Sequence, residues 1–289
     1  MNIAKRCLTY EREHDAFDID LNAWEAPKPF GLSGFFRLKN EEQFMRQAIL
    51  SHLPWLDEAV LIVQKSDDQT INLAHKLSMK YPKIRYECYP FEVVWVDTKA
   101  HYDLPENSVR TMMHLTNWSI NQCEYSWVAK IEGDVICLSS FAEIRRRIEK
   151  EQKSLRYYGR VGLNVAGREV EKVSETYPRT GGWDEAVFNN NPFWHCLRFH
   201  KWESINLHDH GDLIENMGFS FLHVKRCKEK HLQNPYVDSH GIESWVPFTR
   251  GSTCQVLDKF NREQAHPGPD DPCTDVLFEE TLVCPAKPE

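Results

Sequence analysis

The chain has 289 residues, 41% of them hydrophobic and nine of them tryptophan, which is enough for one sizeable α/β domain. Its formal net charge is −8 and it has no long basic run, so the composition excludes nucleic acid as a favoured partner. The nine cysteines form no C-x-x-C pair, which excludes zinc-ribbon and thiol-redox motifs. Scattered cysteines in apolar runs favour free thiols, and hence a reducing, cytoplasmic compartment.

The chain predicts one main domain between two polar segments. Residues 1–30 are predicted to be a leader, 31–232 the main domain and 233–289 an extension rich in proline, glycine and charge. The first residues lack the apolar segment of a signal peptide. No run approaches the roughly 20 apolar residues that span a bilayer, so we expect no transmembrane segment. Peripheral attachment to the inner face of a membrane remains open.

Apolar runs and helical periodicities alternate through the first half of the chain. Strands are predicted at 31–38, 58–63, 84–89 and 126–138, the last interrupted by an acidic turn. Helices are predicted at 40–53, 71–81 and 107–123, with Asn40 as the N-cap of the first. This order predicts a doubly wound, mostly parallel sheet with right-handed crossovers.

The second half is less regular. Residues 157–166 are predicted to form a pair of strands, and 219–225 a strand with a histidine near its end. The run Gly181-Gly182-Trp183-Asp184-Glu185 predicts a tight turn before a helix.

Polar residues are predicted to meet at the carboxyl edge of this sheet, where such folds bind ligands. They are Asn40, Ser66, Asp68, Glu132 and Asp134. Paired carboxylates at a strand end suit Mg²⁺ or Mn²⁺ bound together with a phosphate group. The alternative is that Glu132-Gly133-Asp134 is an ordinary acidic turn.

Five segments, in this order, resemble the family 2 glycosyltransferases and their relatives with the GT-A fold: FFRLKNEEQF, VLIVQKSDDQT, WVAKIEGDV, GGWDE and FLHVK. The resemblance covers residues 31–225 and implies an α/β fold of GT-A type. A nucleotide-sugar-binding half would span 31–138 and an acceptor half 139–232. The implied activity is transfer of a sugar from a nucleotide-diphosphate sugar, with UDP-sugar favoured, to a hydroxyl of a glycan, glycolipid or glycoprotein. Mn²⁺ or Mg²⁺ is the implied cofactor.

The resemblance also implies a set of donor-binding residues: Arg37, Asn40, Glu41, Gln64, Asp68, Arg110, Lys130 and Glu132. Many relatives carry an aspartate that reads uracil where this chain has Val63 and Gln64, which leaves the nucleobase open. Helix capping is the alternative role of Asn40 and Asp68. Solvated surface charge is the alternative for Arg110 and Lys130.

The metal ligands implied by the resemblance are Asp134 directly, Glu132 through water, and His223 after loop closure. The resemblance also leaves open that Glu132 holds the donor ribose or sugar and that His223 binds the diphosphate. The alternative for His223 is a histidine that only completes a strand. The implied catalytic base is Asp184, or else Glu185, because the Glu-Asp pair that many relatives carry after this turn is absent here. Asp209 and Asp212 are the remaining candidates.

A carboxylate base opposite the leaving group predicts a single displacement with inversion. Two other functions stay open: a sugar-nucleotide nucleotidyltransferase, and a non-catalytic nucleotide- or carbohydrate-binding protein on a degenerate transferase fold.

Overall fold

A computed structural model describes residues 17–138, 140–152, 154–166, 169–171, 185–199, 202–207, 211–224 and 245–247. Its helices of the α type are α1 (Leu21–Glu25), α2 (Met45–His52), α3 (Thr70–Lys80), α4 (Lys99–Asp103), α5 (Met112–Asn121) and α6 (Phe141–Lys150). The first seven strands are β1 (Leu32–Leu38), β2 (Glu58–Gln64), β3 (Ile84–Tyr89), β4 (Trp127–Glu132), β5 (Val135–Cys137), β6 (Tyr157–Ala166) and β7 (Glu169–Glu171). The remaining strands are β8 (Glu185–Asn189), β9 (Cys196–Phe199), β10 (Trp202–Ile205), β11 (Ile214–His223) and β12 (Trp245–Pro247).

The strands form one large mixed sheet and a separate hairpin. The main path of the sheet runs β12-β7-β6-β8-β4-β1-β2-β3, and β11 joins it by pairing with β5 and β6. β3, β2, β1 and β4 are mutually parallel, whereas β8 is antiparallel to β4. Among the described strands, β9 and β10 pair with each other and with no other strand. The predicted α/β fold with a mostly parallel central sheet is confirmed.

The core lies on both faces of this sheet, because residues on each central strand alternate between two apolar clusters. Phe36 on β1 and Leu61 on β2 pack with α2, α3 and α6 on one face. Phe35 and Ile62 point the other way and pack with α5. Each fully buried side chain of this size stabilises the fold by roughly 1.5–3 kcal/mol. The two layers of helices hold the carboxyl ends of β1, β2 and β4 at one edge.

The prediction that Asn40 caps the first helix is wrong. α2 begins at Met45, and Asn40 has a positive φ of 57°, outside the conformation of an N-cap. Asparagine tolerates this left-handed conformation better than most residues. Asn40 therefore turns the chain at the end of β1.

Two predictions for the second half are also wrong. Residues 157–166 form the single strand β6, which pairs with β8 on one side and β11 on the other. No helix follows the glycine turn, because Glu185 opens β8. β6 and β8 are strands because each pairs with a neighbouring strand on both sides. Such pairing partners are distant in sequence, so the local pattern of apolar residues does not reveal them.

The third predicted helix, at 107–123, is shorter than expected. α5 begins at Met112, and the Thr111 hydroxyl accepts a hydrogen bond from the His114 N–H as its cap.

Among the described residues, no helix combines the length and hydropathy needed to cross a bilayer. The predicted boundaries at residues 30 and 232 stay predictions.

Candidate metal centre

The acidic turn lies between β4 and β5, and β11 brings a histidine to it. β11 runs antiparallel to β5 with His223 opposite Val135, and the Val224 N–H donates to the Asp134 carbonyl at 2.9 Å. This pairing places His223 Nε2 3.4 Å from Asp134 Oδ1. The ligand atoms of Glu132, Asp134 and His223 all lie within 4.8 Å of one another.

Two carboxylates and an imidazole are a donor set that suits Mn²⁺. Ligand atoms that each lie about 2.1 Å from one ion stand at most about 4 Å apart, so this cluster needs little adjustment to surround a cation. Asp134 is only 4% exposed, which keeps its carboxylate from bulk water. The group therefore fits a divalent cation.

Gly133 allows a close contact between the acidic turn and the loop that follows β1. A Cβ atom at this position would lie 2.7 Å from Glu41 Cγ and 2.8 Å from Leu38 Cδ2. Both distances are shorter than real Cβ atoms tolerate, so a side chain here would push the two segments apart. Glu41, a predicted donor-binding residue, thus lies directly against the candidate metal centre.

Arg37 on β1 controls the charge of Glu132. Its Nη2 donates to Glu132 Oε1 at 2.9 Å, and its Nη1 donates to the Thr116 hydroxyl at 3.0 Å. Burial by itself raises the pKa of Glu132, but the charges of Arg37 and Lys130 outweigh burial and hold that pKa below its ordinary value. Glu132 is therefore ionised at neutral pH.

The loops after β1 and β2 are joined by reciprocal hydrogen bonds. Asn40 Oδ1 accepts from the Asp67 N–H at 2.8 Å, and the Asn40 N–H donates to the Ser66 hydroxyl at 3.1 Å. Asp68 accepts from the N–H groups of Glu42 and Thr70 at 3.1 and 2.9 Å. Burial by itself raises the pKa of Asp68, but these hydrogen bonds lower it by a larger amount, so its pKa lies below the ordinary value. Asp68 therefore joins the loop after β1 to the start of α3, whose N-cap is Gln69.

Three further donor-binding candidates are Gln64, Arg110 and Lys130. Gln64, at the end of β2, is only 6% exposed. Arg110 is exposed, and its Nε donates to the Glu92 carbonyl at 3.3 Å. Lys130 is half-buried on β4, and its charge acts on Glu132 and Glu185. A diphosphate contact is therefore a simpler expectation for Lys130 than for Arg110.

Glu185 is buried beneath the metal centre, with 2% of its surface exposed. Its Oε1 accepts from the Glu132 N–H at 3.1 Å, and its Oε2 lies 3.7 Å from Arg160 Nη1. Burial raises the pKa of Glu185 to about 8, although the charge of Lys130 opposes the rise. Glu185 thus supports the backbone of the acidic turn.

Of the other candidates for the base, Asp212 lies in the described part of the chain. Asp184 and Asp209 lie outside the described residues, as do Gly181, Gly182 and Trp183. Asp212 is exposed in a short 3₁₀ helix at Gly211–Leu213.

Two large aromatic residues, Phe188 on β8 and Trp194 after it, belong to the core. Phe188 and Trp194 are both 0% exposed, and Phe193 packs edge-on against Trp194. The side chains of Phe199 and Trp202 lie outside the description.

Sequence reasoning missed Glu203, on β10. Burial raises its pKa to about 7, while Arg37 and a hydrogen bond from the Met113 N–H lower it. Its register pairs it with Arg198 on β9. Both residues sit in short, mixed segments without periodicity, so only the docking of the hairpin on α5 reveals that they lie inside the protein.

Comparisons with known proteins gave structural similarity without sequence matches. No family model matches the sequence, and no curated protein matches it. TarS from S. aureus is similar with a TM-score of 0.44 and 12% identity, over 88% of this chain and 46% of TarS. This chain thus spans less than half of TarS.

Two enzymes in complex with Mn²⁺ are also among the similar structures. Glucosyl-3-phosphoglycerate synthase from Mycobacterium tuberculosis, with UDP and phosphoglyceric acid, has a TM-score of 0.42 and 14% identity, over 86% of this chain and 82% of that one. A mannosyltransferase from Pyrobaculum calidifontis, with GDP-Man, has a TM-score of 0.36 and 12% identity, over 64% and 49%. At these distances the similarities assign no substrate or activity to this chain.

Proposed function

We propose that this chain is a metal-dependent glycosyltransferase that moves a sugar from a nucleotide-diphosphate sugar to a hydroxyl of a glycan, glycolipid or glycoprotein. The observation that carries the proposal is the cluster of Glu132, Asp134 and His223 at the carboxyl edge of a parallel sheet. Parallel sheets bind nucleotides at this edge. A carboxylate-rich cation site there suits a diphosphate ligand.

The proposed chemistry divides between the cation and the chain's own residues. A bound Mn²⁺ or Mg²⁺ would neutralise the charge that develops on the leaving diphosphate. Asp134 and His223 would hold the cation, and Glu132 would hold it through water or contact the donor ribose or sugar. Arg37 keeps Glu132 ionised through the ion pair at 2.9 Å.

The donor is proposed to lie across the linked loops after β1 and β2. Glu41 lies against Gly133, beside the metal centre, and we assign its carboxylate to the ribose hydroxyls of the donor. Asn40, Asp68 and their hydrogen bonds fix the shape of this loop pair before the donor arrives. Preformed loops reduce the entropy that binding costs. UDP-sugar is the favoured donor, with Gln64 as the residue nearest the expected position of the base.

Asp184 remains the proposed base, with inversion at the anomeric carbon. Glu185 is less suited to contact an acceptor, because it is 2% exposed and occupied by the Glu132 N–H. The proposal includes a cytoplasmic location, since Cys88, Cys123 and Cys196 are free thiols. Peripheral attachment to the inner face of a membrane is compatible with it.

A thermal-shift screen tests the proposal. UDP-, GDP-, dTDP- and CMP-sugars are each added with and without Mn²⁺ to the wild type and to Asp134→Asn. We expect one nucleotide to raise the midpoint only with metal, and the rise to be lost in the variant, since a ligand that binds the folded state stabilises it. No shift with any nucleotide would remove the basis for a transferase.

The products of a turnover assay separate the other two candidate functions. A nucleotidyltransferase releases pyrophosphate from a nucleoside triphosphate, whereas a glycosyltransferase releases a nucleoside diphosphate. A non-catalytic binding protein would give the thermal shift but no slow hydrolysis of the bound sugar nucleotide. The anomeric configuration of the released sugar tests the proposed inversion.

A further inference from the structure

The β9–β10 hairpin and the short helix α4 bring two basic side chains together inside the protein. Arg198 Nη1 donates to the Leu104 carbonyl at 3.1 Å. The charge of Arg198 contributes to lowering the pKa of His101. Its Nε and Nη2 are buried without a hydrogen-bond partner among the described residues. His101 is 1% exposed, and both of its ring nitrogens are also unpartnered there.

Four buried nitrogens without partners are unusual, because native proteins pair nearly all such groups. Within the described residues, the neighbouring strand β10 supplies no acceptor for the Arg198 nitrogens. Glu203 faces Arg198 in the hairpin register, yet Glu203 Oε1 is itself buried and unpartnered. Its carboxylate instead accepts from the Met113 N–H. The basic nitrogens therefore point to a ligand that supplies acceptor oxygens.

We propose that Arg198 and His101 form a subsite for an anionic group, a phosphate or a carboxylate, on the acceptor substrate. This proposal rests on the proposed transferase function. A guanidinium edge with two free N–H groups matches the two oxygens of such an anion. Burial, together with the charge of Arg198, lowers the pKa of His101, so the imidazole is neutral at pH 7. A neutral ring both donates and accepts, which suits an anion with a neighbouring hydroxyl.

The position of the subsite favours the acceptor over the donor diphosphate. The candidate metal centre is built by β4, β5 and β11, and the cation there serves the diphosphate. Arg198 lies on β9, which packs against α5, on the other face of the sheet from the helix α2 that contacts β5. Because the cation already serves the donor diphosphate, we assign this second anion-binding group to the acceptor.

An exposed tryptophan next to this subsite suits a carbohydrate. Trp95 is 68% exposed, and its carbonyl accepts from the Thr98 hydroxyl at 2.7 Å. The same hydroxyl accepts from the His101 N–H at 3.2 Å, which links the two residues. Indole faces commonly pack against sugar rings because they join apolar area to a polar edge. Of the five residues of α4, only His101 is buried. Little packing therefore holds α4 in place, and local opening of this helix would let a ligand reach His101.

Inorganic phosphate, without divalent metal, is the probe for the subsite. We expect 10 mM phosphate to raise the thermal midpoint of the wild type by at least about 2 °C over chloride at equal ionic strength. The rise should be lost in Arg198→Gln and His101→Asn, and kept in the control Arg146→Gln, an exposed arginine on α6 paired with Glu143. Without phosphate, the first two variants should melt within about 2 °C of the wild type. No rise in the wild type, or a rise kept in both site variants, would overturn the proposal.

Binding of UDP with Mn²⁺ distinguishes the acceptor from the donor. We expect Arg198→Gln to bind UDP and Mn²⁺ as the wild type does, within about twofold, and to retain slow hydrolysis of the sugar nucleotide. A tenfold or greater loss of UDP affinity would assign the anion to the donor and overturn an acceptor subsite. Failure of the wild type to bind any nucleotide is a separate outcome, because it contradicts the transferase function while the phosphate result still reports on Arg198 and His101.

Discussion

At the scale of single residues, Asp134 is the carboxylate on which the candidate metal centre depends most. It is 4% exposed and lies 3.4 Å from His223. Asp134→Asn keeps the shape of the side chain but removes its charge. Since the loss of a residue that only supports a metal ligand already lowers metal affinity by about 10-fold or more, we expect Mn²⁺ affinity to fall by at least about 10-fold. Titration of Mn²⁺ followed by the paramagnetic signal of the free ion measures this.

Glu149→Gln is the matched control, because Glu149 is a half-exposed carboxylate on α6 paired with Arg145. It should leave Mn²⁺ affinity unchanged. Equal affinity in wild type and Asp134→Asn would show that the acidic turn is only a turn.

Glu203 makes stability depend on pH. Its pKa is about 7 in the folded chain, above the ordinary value for glutamate, because burial outweighs the charges of Arg37, Lys130 and Arg198. The folded state thus binds this proton more tightly than the unfolded state. Stability from this group is complete below the unfolded pKa and is lost as pH rises to about 7.

The neutral variant Glu203→Gln should remove that loss, and its amide oxygen can still accept from the Met113 N–H. Urea unfolding at pH 5 and pH 8 measures the effect. We expect the variant to gain on the order of 2 kcal/mol relative to the wild type between these pH values. The same pH dependence in both proteins would mean that Glu203 is ionised throughout.

At the scale of elements, the hydrogen bonds between the loops after β1 and β2 fix one wall of the proposed donor site. Asn40 contributes both its left-handed backbone and its side chain, which accepts from the Asp67 N–H. Asn40→Gly keeps the backbone freedom and loses about 1 kcal/mol with the hydrogen bond. Asn40→Ala loses both and should cost about 1 kcal/mol more. Urea midpoints of the two variants give this difference, and an alanine variant as stable as the glycine variant would exclude backbone strain.

The strand β11 carries His223, and its fit against β6 depends on a glycine. A Cβ atom at Gly162 would overlap the Phe221 ring, which packs over it. We expect Gly162→Ala to cost roughly 1–3 kcal/mol by overpacking and to weaken Mn²⁺ binding by shifting His223. Gly211→Ala is the control, because no atom lies within 4 Å of the added Cβ. Adding Phe221→Leu to Gly162→Ala should restore part of both losses, and no restoration would place the cause elsewhere.

At the scale of the whole molecule, the parallel centre of the sheet should be its most stable part. All seven residues of β2 are buried, and β2 pairs with strands on both sides. In the part of the chain that the structure describes, the strands of the β9–β10 hairpin pair with no other strand. Amide hydrogen exchange should therefore be slowest in β1, β2 and β4, and faster in the hairpin and in α4. Equal exchange rates in β2 and α4 would contradict the expectation that the centre of the sheet is more stable than α4 and the hairpin.

The sequence by itself determined the parallel half of the fold and the composition of its carboxyl edge. Continuous apolar runs such as β2 and the alternation of strands with helices are local signals, and they set a doubly wound sheet. The strand-end positions of Glu132 and Asp134 follow from the same signals. Asn40 shows the limit, because a good capping residue in sequence becomes a left-handed turn once the Asp67 N–H is beside it.

Only the tertiary structure decided which residues from distant segments share a site. His223 reaches Asp134 because β11 inserts between β5 and β6, a pairing across more than 50 residues that no local pattern encodes. The same holds for Arg198, His101 and Glu203, whose burial arises when the hairpin docks on α5. Local chemistry sets the elements, but burial, pKa and ligand sets are properties of the packing between them.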